Sequence, residues 1–147
     1  KASAVMMTVD PLGDGRTGAT EFTWGPCGAI VAGITTPDAA TFDRANGRIL
    51  SIRPGRKGHR LQLAEYGAVG TNEMRVETPL EDQRVLAIES PVLMRLIMLG
   101  EQIERLFGRP QDIEAVVTQD NSIVITQARP VTMLEGDYVP FNASAAA

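Results

Sequence analysis

One segment limits the architectures open to this chain more than any other: residues 91–107 read as a single amphipathic helix with strand-like runs on both sides. Pro91 suits a first helical turn, whose N–H groups have no partner inside the helix. Ser90 before it is a good N-cap type, and Gly108 followed by Pro110 stops the run. Val92, Leu96, Leu99, Ile103 and Leu106 recur at alternating steps of four and three, which places them on one apolar stripe. Glu101 and Arg105 are spaced for an i,i+4 ion pair on the wetter side. The simplest use of such a helix is to cover a sheet.

The flanking segments supply that sheet. Ala4 to Val9 form an apolar strand closed by Asp10-Pro11-Leu12-Gly13-Asp14-Gly15, where proline presets φ and the glycines permit positive φ. Ala19 to Trp24 follow as a second strand. Ala29 to Ala32, bounded by Gly28 and Gly33, fit either one helical turn or a strand, since so short a run has no diagnostic period. Ala40 to Asp43 and Arg48 to Arg53 flank Asn46-Gly47, a hairpin signal. Pro54 to Arg60 is basic and lacks an apolar period, so it reads as an exposed loop that carries the single histidine, His59. Met74 to Thr78 is a short strand ahead of the polar linker Glu81 to Arg84. After the helix, Asp112 to Val117 and Ile123 to Thr126 form two strands joined at Gln119-Asp120-Asn121-Ser122. Strands, one long helix and more strands define an α+β fold, a mainly antiparallel sheet covered by one long helix.

Composition narrows the function classes. Net charge is −4 with no long basic run, which removes the electrostatic footprint of a nucleic-acid binder. Apolar runs are far short of the roughly 20 residues a spanning helix needs, so no membrane partner is expected. A single cysteine, Cys27, excludes an intramolecular disulfide and fits a reducing, cytoplasmic setting. The chain opens inside a strand, which fits part of a larger protein or a split subunit. Residues 136–147 read as a tail, small and without a packing pattern from Asn142 onward.

The residues able to carry chemistry gather in the last hairpin. Positions i and i+2 of a strand share a face, so Asp112 joins Glu114 and Gln127 joins Arg129. Paired, the two strands bring carboxylates, an amide oxygen and a guanidinium together. Hard oxygen donors suit Mg²⁺, and a planar guanidinium suits phosphate. On residue type alone the same set also fits a solvated outer face.

Four stretches carry a resemblance that decides between these readings. Ser3-Ala4-Val5-Met6-Met7-Thr8-Val9-Asp10-Pro11 is similar to the S-[AG]-V-x-F-T-x-[DN]-P segment of phosphoenolpyruvate synthases and pyruvate phosphate dikinases. Val31-Ala32-Gly33-Ile34-Thr35-Thr36-Pro37 resembles the dikinases' V-A-G-I-x-T-P. Gly108-Arg109-Pro110-Gln111-Asp112-Ile113-Glu114 resembles the synthases' G-R-P-x-D-I-E, and Thr126-Gln127-Ala128-Arg129-Pro130-Val131-Thr132 their L-Q-A-R-P-x-T. All four lie in family order from residue 3 to residue 132.

The resemblance implies that residues 1–135 form the C-terminal portion of an ATP-grasp domain that binds ATP and Mg²⁺. By the same resemblance Glu114 and Gln127 hold the metal, Arg129 contacts the phosphates as the catalytic residue, and Asp112 lies beside them. The implied relay passes a phosphoryl group from ATP to a histidine on another domain and on to pyruvate or a related acceptor. Implied partners are the upstream half of the ATP-grasp domain and a phosphohistidine domain, on the same or a separate chain. Gly28 departs from the pattern, because it stands where the family carries a glutamate that faces the nucleotide. That departure keeps a second expectation open, a degenerate and non-catalytic module that acts as a scaffold. His59 lacks the family's T-x-H signature and reads as a solvated loop residue. Cys27 reads as a packed small residue, and Trp24 as core rather than as a stacking platform.

Overall fold

Alternation in β1 (Ala2–Met7) sorts the whole molecule. Ala2, Ala4 and Met6 are buried against a helix, while Val5 and Met7 are only partly covered on the opposite face. A computed structural model describes residues 1–63, 73–132 and 136–143. In it β1 pairs with β2 (Thr17–Trp24), β2 with β3 (Asp38–Asp43), and β3 with β4 (Ile49–Arg53). The other edge of β1 receives β7 (Gln111–Val117), which pairs with β8 (Ile123–Pro130). The resulting six-stranded sheet runs β4-β3-β2-β1-β7-β8 and every pairing is antiparallel. A short helix, α1 (Gly28–Val31), follows β2, and a separate hairpin pairs β5 (His59–Leu63) with β6 (Glu73–Glu77). This is the mainly antiparallel α+β arrangement that the sequence implies.

The long helix α2 (Ser90–Phe107) lies across one face of the sheet. Gly108 closes it in the left-handed conformation (φ 72°), as its glycine and the following proline require. Three details of the expected helix change. Glu89, in extended conformation, occupies the N-cap position and Ser90 is already helical. The buried side is Val92, Leu93, Leu96, Ile97, Gly100, Glu101 and Glu104, whereas Leu106, expected in the stripe, is 79% exposed. The expected ion pair forms, with Arg105 Nη2 2.5 Å from Glu101 Oε1, but Glu101 is buried rather than on the wet side.

A buried cation explains that rotation. Arg44, in the β3–β4 turn and fully buried, donates through both terminal nitrogens to Glu104 at 2.9 and 3.0 Å. It also donates to the carbonyls of Thr8 and Val139 at 2.5 and 2.7 Å, and its guanidinium lies 5.3 Å from the Tyr138 ring centre and 5.1 Å from that of Phe141. A guanidinium cannot shed its charge, so the helix must turn a carboxylate inward to meet it. The same contacts capture residues 137–143. Phe141 and Ala143 belong to the core, Phe141 stacking on Phe42 at 5.4 Å, so this part of the expected tail is packed; residues 144–147 lie outside the described residues.

The segment 54–60 also differs from the expected exposed loop. Lys57 is fully buried and donates to Asp38 Oδ1 at 2.5 Å and to the Gly55 carbonyl at 3.2 Å. Asp38 further accepts the N–H groups of Gly55 and Ala87, each at 2.8 Å. One carboxylate thus ties the start of β3, the loop and the approach to α2. His59 is the first residue of β5, where its Nδ1 lies 3.3 Å from Arg75 Nη2. Lys57→Met leaves Asp38 charged and buried without its cation, and should cost about 3–5 kcal/mol in urea unfolding. Arg56→Met at the exposed neighbouring position should stay within about 0.5 kcal/mol.

Candidate functional site

The face of the sheet away from α2 is where the polar residues of the last hairpin converge. Cross-strand register sets Gln127 opposite Glu114, Glu114 opposite Val5, and Val5 opposite Glu21. The next row sets Arg129 opposite Asp112, and Asp112 opposite Met7. Directly opposed residues have Cβ atoms roughly 5 Å apart, and rows on one face are separated by about 7 Å. All four residues expected from the sequence are therefore brought together on one surface.

A β-bulge makes that possible. Near the turn, Ile123 pairs with Val117, Val124 with Val116 and Ile125 with Ala115, so Ile123 and Ile125 pack toward the core. Simple alternation would then send Gln127 and Arg129 inward as well. The register instead shifts between Glu114 and Ala115, which leaves Thr126 as the extra residue. Thr126 Oγ1 donates to the Glu114 carbonyl at 3.2 Å, Ala128 packs toward the core, and Gln127 and Arg129 emerge beside the carboxylates.

The charges are arranged unevenly. Arg129 Nε donates to Asp112 Oδ2 at 3.1 Å, with the arginine side chain 60% exposed and the aspartate 13%. The other aspartate oxygen, Oδ1, is buried without a hydrogen-bond partner. A buried acceptor left unpaired is costly, and one beside a phosphate-type guanidinium suits a site completed by a ligand. The terminal nitrogens of Arg129 have no partner among the described residues. Among those residues no three acidic, histidine or cysteine groups are already set to cage a metal.

Three residues beyond the expected four belong to this neighbourhood. Glu21 shares the row of Glu114 and is exposed. Only register could reveal it, because nothing in its local sequence marks it. Cys27, at the start of α1, donates its thiol to Glu114 Oε2 at 3.4 Å. Its pKa is pushed from 9.0 up to about 11, first by burial, then by the Glu114 hydrogen bond and charge, with a smaller push from Glu73. It is half-buried as expected for a small packed residue, but it touches the site. Next to it Gly28 has no carboxylate; a Cβ there would meet Glu73 Oε2 at 3.1 Å. A groove of roughly 640 Å³ opens alongside, lined by Pro26, Leu61, Leu63, Glu73 and Val116 among others. Val116 lies two residues beyond Glu114 on the same face. Trp24 faces the core and donates Nε1–H to the Asp82 carbonyl at 3.0 Å, as its core reading requires.

Residues 1–140 match the family model described as pyruvate phosphate dikinase, AMP/ATP-binding domain. The chain belongs to that family. A probable phosphoenolpyruvate synthase of Archaeoglobus fulgidus is 34% identical over 134 residues, which is 90% of this chain and 17% of that protein. A rifampicin phosphotransferase of a Streptomyces species is 34% identical over 135 residues, 91% of this chain and 15% of that protein. The Bacillus subtilis rifampicin phosphotransferase is 30% identical over 137 residues, again 91% and 15%. The chain thus spans less than a fifth of the length of these relatives. No helix among the described residues is long and apolar enough to cross a membrane.

The elevated pKa of Cys27 means that the folded state holds its proton more tightly than the unfolded chain does. Its contribution to stability is full below pH 9 and is lost as pH rises toward about 11. At pH 8 the thiol should alkylate slowly with iodoacetamide, because the thiolate is the nucleophile. Glu114→Gln removes one cause of the elevation and should speed the reaction severalfold, as followed by mass spectrometry.

Proposed function

We propose that this chain is the phosphate- and metal-holding portion of an ATP-grasp-type nucleotide domain in a dikinase-type phosphotransferase. The observation that carries this reading is the convergence of Glu114, Gln127, Asp112 and Arg129 on the sheet face opposite α2 in an AMP/ATP-binding family member. Glu114 and the Gln127 amide oxygen would hold Mg²⁺, whose charge would offset that of the nucleotide phosphates. Arg129, anchored through Nε by Asp112, would direct its terminal nitrogens at a phosphate. Such a site accelerates phosphoryl transfer mainly by positioning and charge neutralisation.

The acceptor in this proposal is a histidine on another domain, which passes the phosphoryl group on to pyruvate or a related small molecule. An upstream half of the nucleotide domain would close over the open face, and a phosphohistidine domain would dock beside it. The relatives' far greater length leaves room for both. A second reading, a degenerate scaffold module, is favoured by Gly28, which withholds a carboxylate at the start of α1.

Calorimetric titration of Mg-ATP into the protein, purified so that any partner chain is retained, separates the two. The proposal expects saturable binding near one site per copy. Glu114→Gln and Arg129→Ala should each weaken it by about tenfold or more, from the loss of a metal ligand and of charge-assisted hydrogen bonds respectively. Absence of binding in the assembled protein would establish the scaffold reading instead.

A further inference from the structure

The row Met7–Asp112–Arg129 lies next to the point where β1 leaves the sheet. In an antiparallel ladder a hydrogen-bonded pair exchanges two N–H···O=C bonds. Thr8, the first residue beyond β1, makes one of them: its N–H donates to the Gln111 carbonyl at 2.9 Å. The return bond is different. Arg44 Nη1 claims the Thr8 carbonyl at 2.5 Å, and the Gln111 N–H donates instead to Thr8 Oγ1 at 2.9 Å. A hydroxyl can donate as well as accept, and Thr8 Oγ1 donates to Glu104 Oε1 at 2.8 Å. Thr8 is fully buried on the α2 side of the sheet, so neither bond can be exchanged for one to bulk water.

The hydroxyl closes the sheet at a place where a buried arginine has opened it. Gln111 directly precedes Asp112, and both its backbone groups are held by Thr8. Pro110 in turn accepts the N–H of Val131 at 3.0 Å, which ties the end of β8 to the same point. Asp112, which bonds Arg129 Nε, is therefore presented on one face by a backbone clamped from the other. A binding group keeps its direction only when the groups behind it are themselves locked. We infer that Thr8 is a positioning residue of the candidate nucleotide site: it acts through Gln111 and Asp112 on the Arg129 guanidinium. The inference rests on the nucleotide-binding reading above. It gives the two branches of Thr8 separate tasks, since Cγ2 packs toward Gly100 of α2, where an added Cβ would lie 3.6 Å away.

Mg-ATP affinity, measured by calorimetry on the same assembled protein, separates these tasks. Thr8→Val keeps the methyl, removes the hydroxyl and should weaken Mg-ATP by about fivefold. Thr8→Ser keeps the hydroxyl; it should lower the melting temperature through the lost methyl and hold affinity within about twofold of wild type. In double-mutant cycles Thr8→Val should add nothing to Arg129→Ala, through which it acts, and its full factor to Glu114→Gln in the neighbouring row. The same factor in both backgrounds would mark a merely structural role and overturn the inference. Should Thr8→Val not fold, hydrogen exchange in the wild-type protein still decides: the Gln111 amide, bonded to the hydroxyl, should exchange as slowly as that of Ile113. Exchange of Gln111 at the rate of exposed loops overturns the role of Thr8 and leaves the site intact. So does wild-type affinity in Thr8→Val alongside losses in Arg129→Ala and Glu114→Gln. Wild-type affinity in Arg129→Ala and Glu114→Gln overturns the nucleotide site itself, and the positioning role with it.

Discussion

A six-stranded sheet has two faces, and this chain has one long helix with which to cover them. Everything else follows from that shortage. α2 and the segment around Phe141 bury the face that carries Ala4, Met6, Phe22 and Ile113, and that face holds the core. The opposite face keeps carboxylates, an amide and a guanidinium in two adjacent rows. The family match to an AMP/ATP-binding domain is consistent with a polar face of this chemistry.

The covered side is held by charge as well as by apolar contact. Arg44 with Glu104, and Lys57 with Asp38, are buried pairs whose remaining hydrogen-bonding positions are largely taken by backbone groups. Pairs of this kind add less net stability than apolar packing of the same volume, yet breaking one is expensive. Their effect here is to fix geometry. Arg44 sets the rotation of α2 and captures residues 137–143, and Asp38 holds the loop from which β5 starts. The hairpin that carries Glu73 therefore begins from a rigid point.

Much of the fold was legible in local pattern. The stop of α2 at Gly108, the Asn46-Gly47 and Asp120-Asn121 turns, and the β7 alternation of buried and half-buried residues all appear as expected. These features depend on neighbouring residues, through φ preferences and the two-residue period of a strand. Where charged residues were read as wet, the reading failed. Lys57 and Glu104 are buried because each meets an opposite charge distant in sequence, and Glu101 is buried although its partner Arg105 lies only four residues on. The loop at 54–60 and the side of α2 were misjudged for that reason.

By itself the sequence determined the family and the strand-and-helix order and singled out the four candidate residues, because these depend on short motifs and their spacing. The tertiary structure decided how those residues meet. Strand alternation counted from Ile123 would have buried Gln127 and Arg129, and only the bulge at Thr126, visible in the pairing of β7 with β8, turns them to the open face. It also decided that Glu21 shares the row of Glu114, and that a thiol bonds the proposed metal-binding carboxylate. Register and close approach are relations between distant segments, and no local pattern encodes them.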